Sequence, residues 1–101
     1  MFTVEIHRIK IDPANVDRLL QLRGPALVEL QMKCPQLRQA DLVRLGDDVW
    51  LDILTWSGPV ISRAAAQAPT YAEMRGLITA ELGHDRGERV HTTGTAWAAG
   101  R

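Results

Sequence analysis

The sequence predicts a single α+β domain over residues 1–101 in which the elements run strand, helix, strand, strand, helix, strand. Three observations support this order. Residues 2–9 alternate apolar and polar side chains with the period of two that is typical of a strand. Apolar residues then recur at helical spacing as far as Met32. Two further alternating segments, 37–45 and 49–56, flank turn-forming residues as in a β-hairpin.

The first helix has clear start and stop signals. Asp12 can accept hydrogen bonds from free backbone N–H groups, and Pro13 suits the first helical position because its missing N–H is not needed there. Pro25 interrupts the pattern and is expected to kink the helix, which should end at Cys34 because the residue before a proline avoids the α region. The face toward the core is predicted to consist of Val16, Leu19, Leu20, Arg23, Leu27 and Leu30.

The second half of the chain is predicted to contain two short helices and a last strand. An Ala-rich helix should span 59–68, and a second helix should span 70–83, beginning with a capping box between Thr70 and Glu73. A polar loop should then lead into a last strand over 89–97. The apolar face of the later helix is predicted to consist of Met74, Leu77, Ile78 and Leu82.

This order with short connections is the split β-α-β arrangement of the ferredoxin-like fold. The sheet is expected to be antiparallel, with the first and third strands side by side and parallel at its centre. The helices would cover one sheet face. The other face should carry the apolar residues Phe2, Val4, Ile6, Val49, Leu51 and Ile53. A second copy stacked sheet on sheet would cover them, so we expect a homodimer.

The opposite face of the same two strands carries Glu5, His7, Trp50, Asp52 and Trp56, which should point toward the helices. An ionised carboxylate in that layer costs several kcal/mol unless it is paired, hydrogen-bonded or hydrated. The pattern therefore predicts a hollow that binds a small molecule, where the pKa values of a histidine and a carboxylate can be drawn toward neutrality for proton transfer. A plainer interpretation stays open: the His and Asp satisfy each other, and the indole rings fill the core.

The composition excludes several classes of protein. Twelve Lys and Arg balance twelve Asp and Glu, which argues against nucleic acid as a partner. The single cysteine, Cys34, rules out an internal disulfide and a cysteine-rich zinc site. His84 and His91 lack the spacing of a metal pair, so no metal site is expected. No apolar run reaches membrane-spanning length and the first ten residues are too charged for a signal peptide, so a cytoplasmic protein is expected.

The order of elements and two segments resemble the antibiotic biosynthesis monooxygenase family. The segments are Cys34–Leu37, before the second strand, and Trp50–Trp56, before a Ser-Gly-Pro turn. The resemblance covers about residues 2–97. It implies a homodimer whose two sheets form a dimeric α/β barrel, with one pocket per subunit between sheet and helices.

The family includes cofactor-free oxygenases that convert polycyclic phenols to quinones, using an Asn and a Trp four residues apart on the third strand and an Arg on a later helix. By resemblance, Trp56 matches the Trp and Arg75 the Arg. Asp52 stands where those enzymes have Asn, and their downstream Tyr falls near Ser62. A haem-degrading branch of the family is not favoured, because two of its three functional residues are replaced here.

We therefore expect a cofactor-independent monooxygenase that oxidises an electron-rich, polyketide-type aromatic with dioxygen. Asp52 or His7 would remove a proton, and Arg75 with His7 would stabilise the oxyanion. Trp56 is the fourth predicted catalytic residue and would stack on the flat substrate, which would be bound by Glu5, Trp50 and Tyr71. Two alternatives stay open: an oxygen-independent cyclase, dehydratase or isomerase that uses a His7–Asp52 pair, and a non-catalytic dimeric binding module.

Overall fold

The computed structural model describes residues 2–58 and 67–89. Its elements are β1 (Phe2–Ile11), a 3-10 turn (Pro13–Asn15), α1 (Val16–Lys33), β2 (Leu37–Arg44), β3 (Val49–Trp56), α2 (Pro69–Arg75) and β4 (Ile78–Arg89). The four strands form one sheet in the order β2-β3-β1-β4. The ferredoxin-like α+β fold predicted from the sequence is confirmed.

All three strand pairings are antiparallel. The prediction that the first and third strands run parallel is therefore wrong, whereas the antiparallel sheet is confirmed. The reason lies in the connections. The α1 crossover makes β2 parallel in direction to β1, and the hairpin then reverses β3, so β3 runs opposite to both of its neighbours.

The start signal acts on the 3-10 turn that leads directly into α1, where the Asp12 carboxylate accepts a hydrogen bond from the N–H of Ala14 at 2.9 Å. Helix α1 continues through Pro25 to Lys33 and is capped by Cys34, as predicted. Leu20, however, is 49% exposed, whereas Ala26 is fully buried. The step from Leu19 to Leu20 is about 100° around the helix axis, which takes Leu20 out of the buried stripe.

The second half of the chain departs from the prediction. Helix α2 ends at Arg75 and β4 begins at Ile78, so the residues expected to continue the helix and the polar loop belong to the last strand. The N–H of Gly76 closes the last turn on the carbonyls of Ala72 and Glu73, and two residues later Ile78 pairs with Ile11 of β1. The Ala-rich helix predicted at 59–68 lies almost entirely outside the described residues, as does the strand predicted at 89–97.

The predicted capping box is also wrong. The cap of α2 is Ala68, whose side chain makes no capping hydrogen bond. The N–H and hydroxyl of Thr70 instead donate to the carboxylate of Glu29 on α1, at 2.8 and 2.9 Å. A contact between two helices has thus replaced the local one that the spacing suggested.

The hydrophobic core lies between the sheet and the two helices. Its largest fully buried apolar side chains are Ile9, Ile11, Leu30, Leu54 and Met74. No helix in the described part of the chain has the length and apolar character needed to cross a membrane.

Candidate functional site

The polar side chains of the central strands face the helices, as the alternation predicted. Glu5 is 6% exposed and Asp52 is 1% exposed, and Trp50 and Trp56 are buried on the same face of the sheet. His7 is half-buried beside them. The apolar side chains of the alternate positions are less buried. The buried carboxylates of Glu5 and Asp52 need partners of opposite charge or hydrogen-bond donors, and those partners are the other residues of the candidate site.

Asp52 is paired with Arg23, whose Nη2 donates to the aspartate Oδ1 at 2.9 Å. Arg23 comes from the buried side of α1, where it is the only charged residue among the apolar ones predicted to face the core. His7 lies directly opposite Asp52 in the β1–β3 register. It nevertheless bonds elsewhere, so the described residues do not contain the His7–Asp52 hydrogen bond of the alternative hypothesis.

Glu5 is surrounded by donors. Trp56 Nε1–H donates to its Oε1 at 3.0 Å, while His84 Nε2 and Arg86 Nη2 both lie 3.3 Å from its Oε2. His7 Nε2 is 3.7 Å from the same oxygen. The neighbouring His7 imidazole is the largest influence on the Glu5 carboxyl and, despite the opposing effect of burial, lowers its pKa to about 2.

His7 is held between two carboxylates and a second imidazole. Its Nδ1–H donates to Glu81 on β4, and its ring stacks on His84 with centroids 4.2 Å apart and planes 13° from parallel. Hydrogen bonding to Glu5, then to Glu81, raises the pKa of His7 although burial opposes it. An imidazole whose protonated form is favoured in this way is a poor general base and a good positive charge for an oxyanion.

Helix α2 contributes Tyr71 and Arg75 to the same layer. Tyr71 is buried, and desolvation together with the negative charge of Asp52 raises its pKa to about 12. Arg75 Nη2 lies 3.3 Å from Glu81 Oε2, and its Nη1 is buried without a hydrogen-bond partner among the described residues. Arg75 therefore reaches the polar cluster instead of extending into solvent.

The two tryptophans lie on either side of Asp52 along β3. Trp56 is tied to Glu5, whereas Trp50 lies at the other end under the guanidinium of Arg44, whose Cζ is 5.3 Å from the ring centroid. The buried Nε1 of Trp50 has no partner among the described residues. Each indole offers a flat apolar surface next to charged groups.

Sequence reasoning missed four members of this cluster. Arg23 could have been found as the one charged residue in an apolar helical stripe. Glu81, His84 and Arg86 were placed in a helix and a loop, because the end of α2 was predicted too late. With β4 in its observed position, the register sets His84 opposite His7 and Arg86 opposite Glu5.

Fold and site together define a ferredoxin-like domain whose sheet and helices enclose a layer of ion pairs. Three solved structures with this fold are similar to the chain over nearly its whole length. One, from Chloroflexus aurantiacus J-10-fl, is assigned by name to the antibiotic biosynthesis monooxygenases. It is 20% identical, has a TM-score of 0.68, and covers 93% of this chain and 98% of its own. Another, from Bordetella bronchiseptica and assigned to the same class, is 15% identical with a TM-score of 0.68, covering 89% and 98%.

The third is a variant of SnoaB, a cofactor-independent oxygenase from Streptomyces nogalater. It is 19% identical with a TM-score of 0.66 and covers 91% of this chain and 96% of its own. No family model matches the sequence, and no curated protein does. At these identities the likeness concerns the fold. It confirms, at that level, the resemblance to the antibiotic biosynthesis monooxygenases indicated by Cys34–Leu37 and Trp50–Trp56.

Proposed function

We propose that this protein is a cofactor-independent monooxygenase that oxidises an electron-rich phenolic aromatic with dioxygen. The observation that carries the proposal is the buried Asp52–Arg23 pair, which lies between two indoles on the helix-facing side of the sheet. A buried carboxylate next to flat apolar surfaces suits an aromatic ring that must lose a proton. Support for the oxygenase class comes from the fold, which SnoaB shares.

The charges of the cluster favour an anionic reaction intermediate. The carboxylates of Glu5, Asp52 and Glu81 are matched by the guanidiniums of Arg23, Arg75 and Arg86. Protonated His7 then leaves the cluster with a net positive charge. Close to the buried carboxylates of Glu5 and Asp52, such a charge stabilises a phenolate or carbanion more strongly than it would in water.

In the proposed reaction Asp52 removes a proton from the substrate, and the resulting anion passes an electron to dioxygen. Recombination of the two radicals forms a carbon–oxygen bond, giving a peroxide anion that takes back the proton from Asp52. Loss of water from the peroxide leaves a quinone carbonyl, so one oxygen atom enters the product and one leaves as water. The substrate supplies all the electrons.

The side chains divide this work between them. Protonated His7 and Arg75 would face the oxyanion, and Trp56 and Trp50 would stack on the ring. Tyr71, neutral at all ordinary pH values, would donate a hydrogen bond to a substrate oxygen. Because the Glu5 and Glu81 carboxylates favour the protonated imidazole of His7, we propose Asp52 as the base.

One observation favours a second candidate, an oxygen-independent proton-transfer enzyme. The His7–Glu81 hydrogen bond is an acid–base pair of the kind that enolisation and dehydration need, although its carboxylate is not Asp52. In this alternative the protonated imidazole gives a proton to the substrate. The reaction would proceed equally well without oxygen.

The test is oxygen uptake by chelator-treated protein supplied with an anthrone-type phenol. We expect uptake above the spontaneous rate and a fall of at least about 10²-fold in Asp52→Ala, the contribution typical of a positioned base. Asp41→Ala is the matched control, because Asp41 is an exposed carboxylate on β2 that bonds to Gln39. Uptake no faster than the spontaneous rate would contradict the oxygenase, and product formation under nitrogen would establish the second candidate.

A further inference from the structure

Beside the Asp52–Arg23 pair, three metal-ligating side chains converge near the open edge of the sheet. Glu5 and His7 belong to β1, and His84 belongs to β4, where the strand register places it opposite His7. One ligand atom from each of the three lies within 4.8 Å of the other two. The three side chains share His7 and Glu5 with the site proposed above, but they do not include Asp52, the proposed base.

We propose that Glu5, His7 and His84 form a binding site for a divalent first-row transition-metal ion. Two imidazole nitrogens and one carboxylate oxygen are the donor set that zinc, iron and nickel favour, whereas magnesium and calcium prefer oxygen ligands alone. Three protein ligands leave the remaining coordination positions to water.

The two separations that involve Glu5 are close to those that such an ion requires. Glu5 Oε2 is 3.3 Å from His84 Nε2 and 3.7 Å from His7 Nε2. Bonds of about 2.0–2.2 Å to one ion require ligand atoms about 3.0–3.5 Å apart. Contraction by a few tenths of an ångström is therefore sufficient on the His7 side.

Neighbouring side chains already orient two of the three ligands. The Nδ1–H of His7 donates to Glu81, which directs Nε2 toward Glu5, as carboxylates do behind many metal-bound histidines. Trp56 Nε1–H holds Oε1 of Glu5, which leaves Oε2 for the ion. Both carboxylates also add negative charge close to a cation.

Two side chains would change position when the ion binds: His84, which is the third ligand, and Arg86, whose positive charge competes with the ion. The side chain of His84 is 42% exposed, so it can turn from its stacked position to aim Nε2 at an ion shared with His7. Arg86, whose side chain is 54% exposed, can withdraw from Glu5 Oε2 into solvent. The bound ion then replaces the positive charges that now face this carboxylate.

The experiment titrates chelator-treated, untagged protein with Co²⁺ while recording visible absorption, and with Zn²⁺ in a calorimeter. We expect saturation at one ion per chain and the d–d bands of imidazole-bound Co²⁺. His84→Gln should weaken binding by at least tenfold, and Glu81→Gln by about 10- to 100-fold, as for other partners of metal-bound histidines. Circular dichroism confirms that each variant is folded.

Asp85→Asn is the matched control. Asp85 follows His84 in the sequence and pairs with Ile6, so its side chain points to the opposite face of the sheet from the proposed ligands. Its affinity for Co²⁺ should equal that of the wild type. Absence of saturable binding in the wild type would overturn the proposal, and so would equal binding by the wild type and His84→Gln. The metal titration contains no aromatic substrate, and oxygen uptake is measured on chelator-treated protein. Either proposal can therefore fail without the other.

Discussion

Arg23 on α1 donates to the carboxylate of Asp52 on β3 at 2.9 Å, although His7 lies directly opposite Asp52 in the sheet. Both side chains of this pair are nearly inaccessible to water. An ion pair in such a position contributes little net stability but is costly to break, because the surviving charge is left buried and alone. The pair therefore ties the helix to the central strand at the centre of the proposed site.

Arg23→Met should destabilise the protein by about 3–5 kcal/mol, since it leaves the Asp52 carboxylate buried without a partner. Combining it with Asp52→Leu should recover most of that loss, because no charge then remains in the layer. Urea unfolding followed by tryptophan fluorescence measures both free energies. If Arg23→Met alone were as stable as the wild type, the pair would not be buried in solution.

The single tyrosine of the chain, Tyr71, should ionise only near pH 12 in the folded protein. In urea it should ionise near its ordinary value of about 10. Because the folded-state pKa is the higher one, stability falls as the pH rises from 10 toward 12. Absorbance at 295 nm reports tyrosinate directly, and a folded-state midpoint close to 10 would contradict the burial of this hydroxyl.

The contacts of Glu5 and His7 predict a stability maximum in mildly acidic solution for the metal-free protein. The Glu5 pKa is lowered from 4.5 to about 2, so its contribution is complete above pH 4.5 and is lost as the pH falls toward 2. The His7 pKa is raised from 6.5, so its contribution is complete below pH 6.5 and is lost at higher pH. Free energies of unfolding between pH 2 and 9 should therefore peak between 4.5 and 6.5.

His7→Gln supplies the check on that profile. It removes the titrating imidazole, so the decline above pH 6.5 should become shallower than in the wild type. Equal slopes for the two proteins in this range would show that another group causes the decline.

The outer sheet face should form the interface of a homodimer. Ile6 and Ile53 are direct neighbours at its centre, and Phe2 and Val43 are 39% and 41% exposed in the isolated chain. Ile53→Lys should convert a dimer to a monomer in sedimentation velocity, because stacked sheets exclude an unpaired charge. Met32→Lys, at an 80% exposed position on α1, should leave the mass unchanged. A wild-type monomer at high concentration would refute the dimer.

The local sequence pattern was sufficient for the elements whose signals are short-range. Asp12, Pro13 and Cys34 bound the first helix through backbone chemistry that needs no distant partner. The alternation in β1 and β3 correctly predicted which side chains face the helices, because a strand has only two faces. These features also carried the resemblance to a known fold.

Long-range contacts decided the rest. Thr70 and Glu73 have capping-box spacing, yet Thr70 bonds to Glu29 on the other helix, and no local pattern reveals that competition. Likewise, Ile78 and Leu82 fit a helical stripe, but pairing with β1 places them in a strand. Helix and strand propensities differ by less than the free energy of completing a sheet, so tertiary pairing prevails.

In the candidate site too, some features are determined by local sequence and others by tertiary contacts. Sequence alone determined that Glu5, His7 and Asp52 share one buried face and must be neutralised there. Only the tertiary structure decided the partners, Arg23 for Asp52 and His84 with Glu81 for His7. The physical reason is that burial of a charge is dictated by the local period of a strand, whereas its partner is chosen by crossovers and register between segments far apart in the chain.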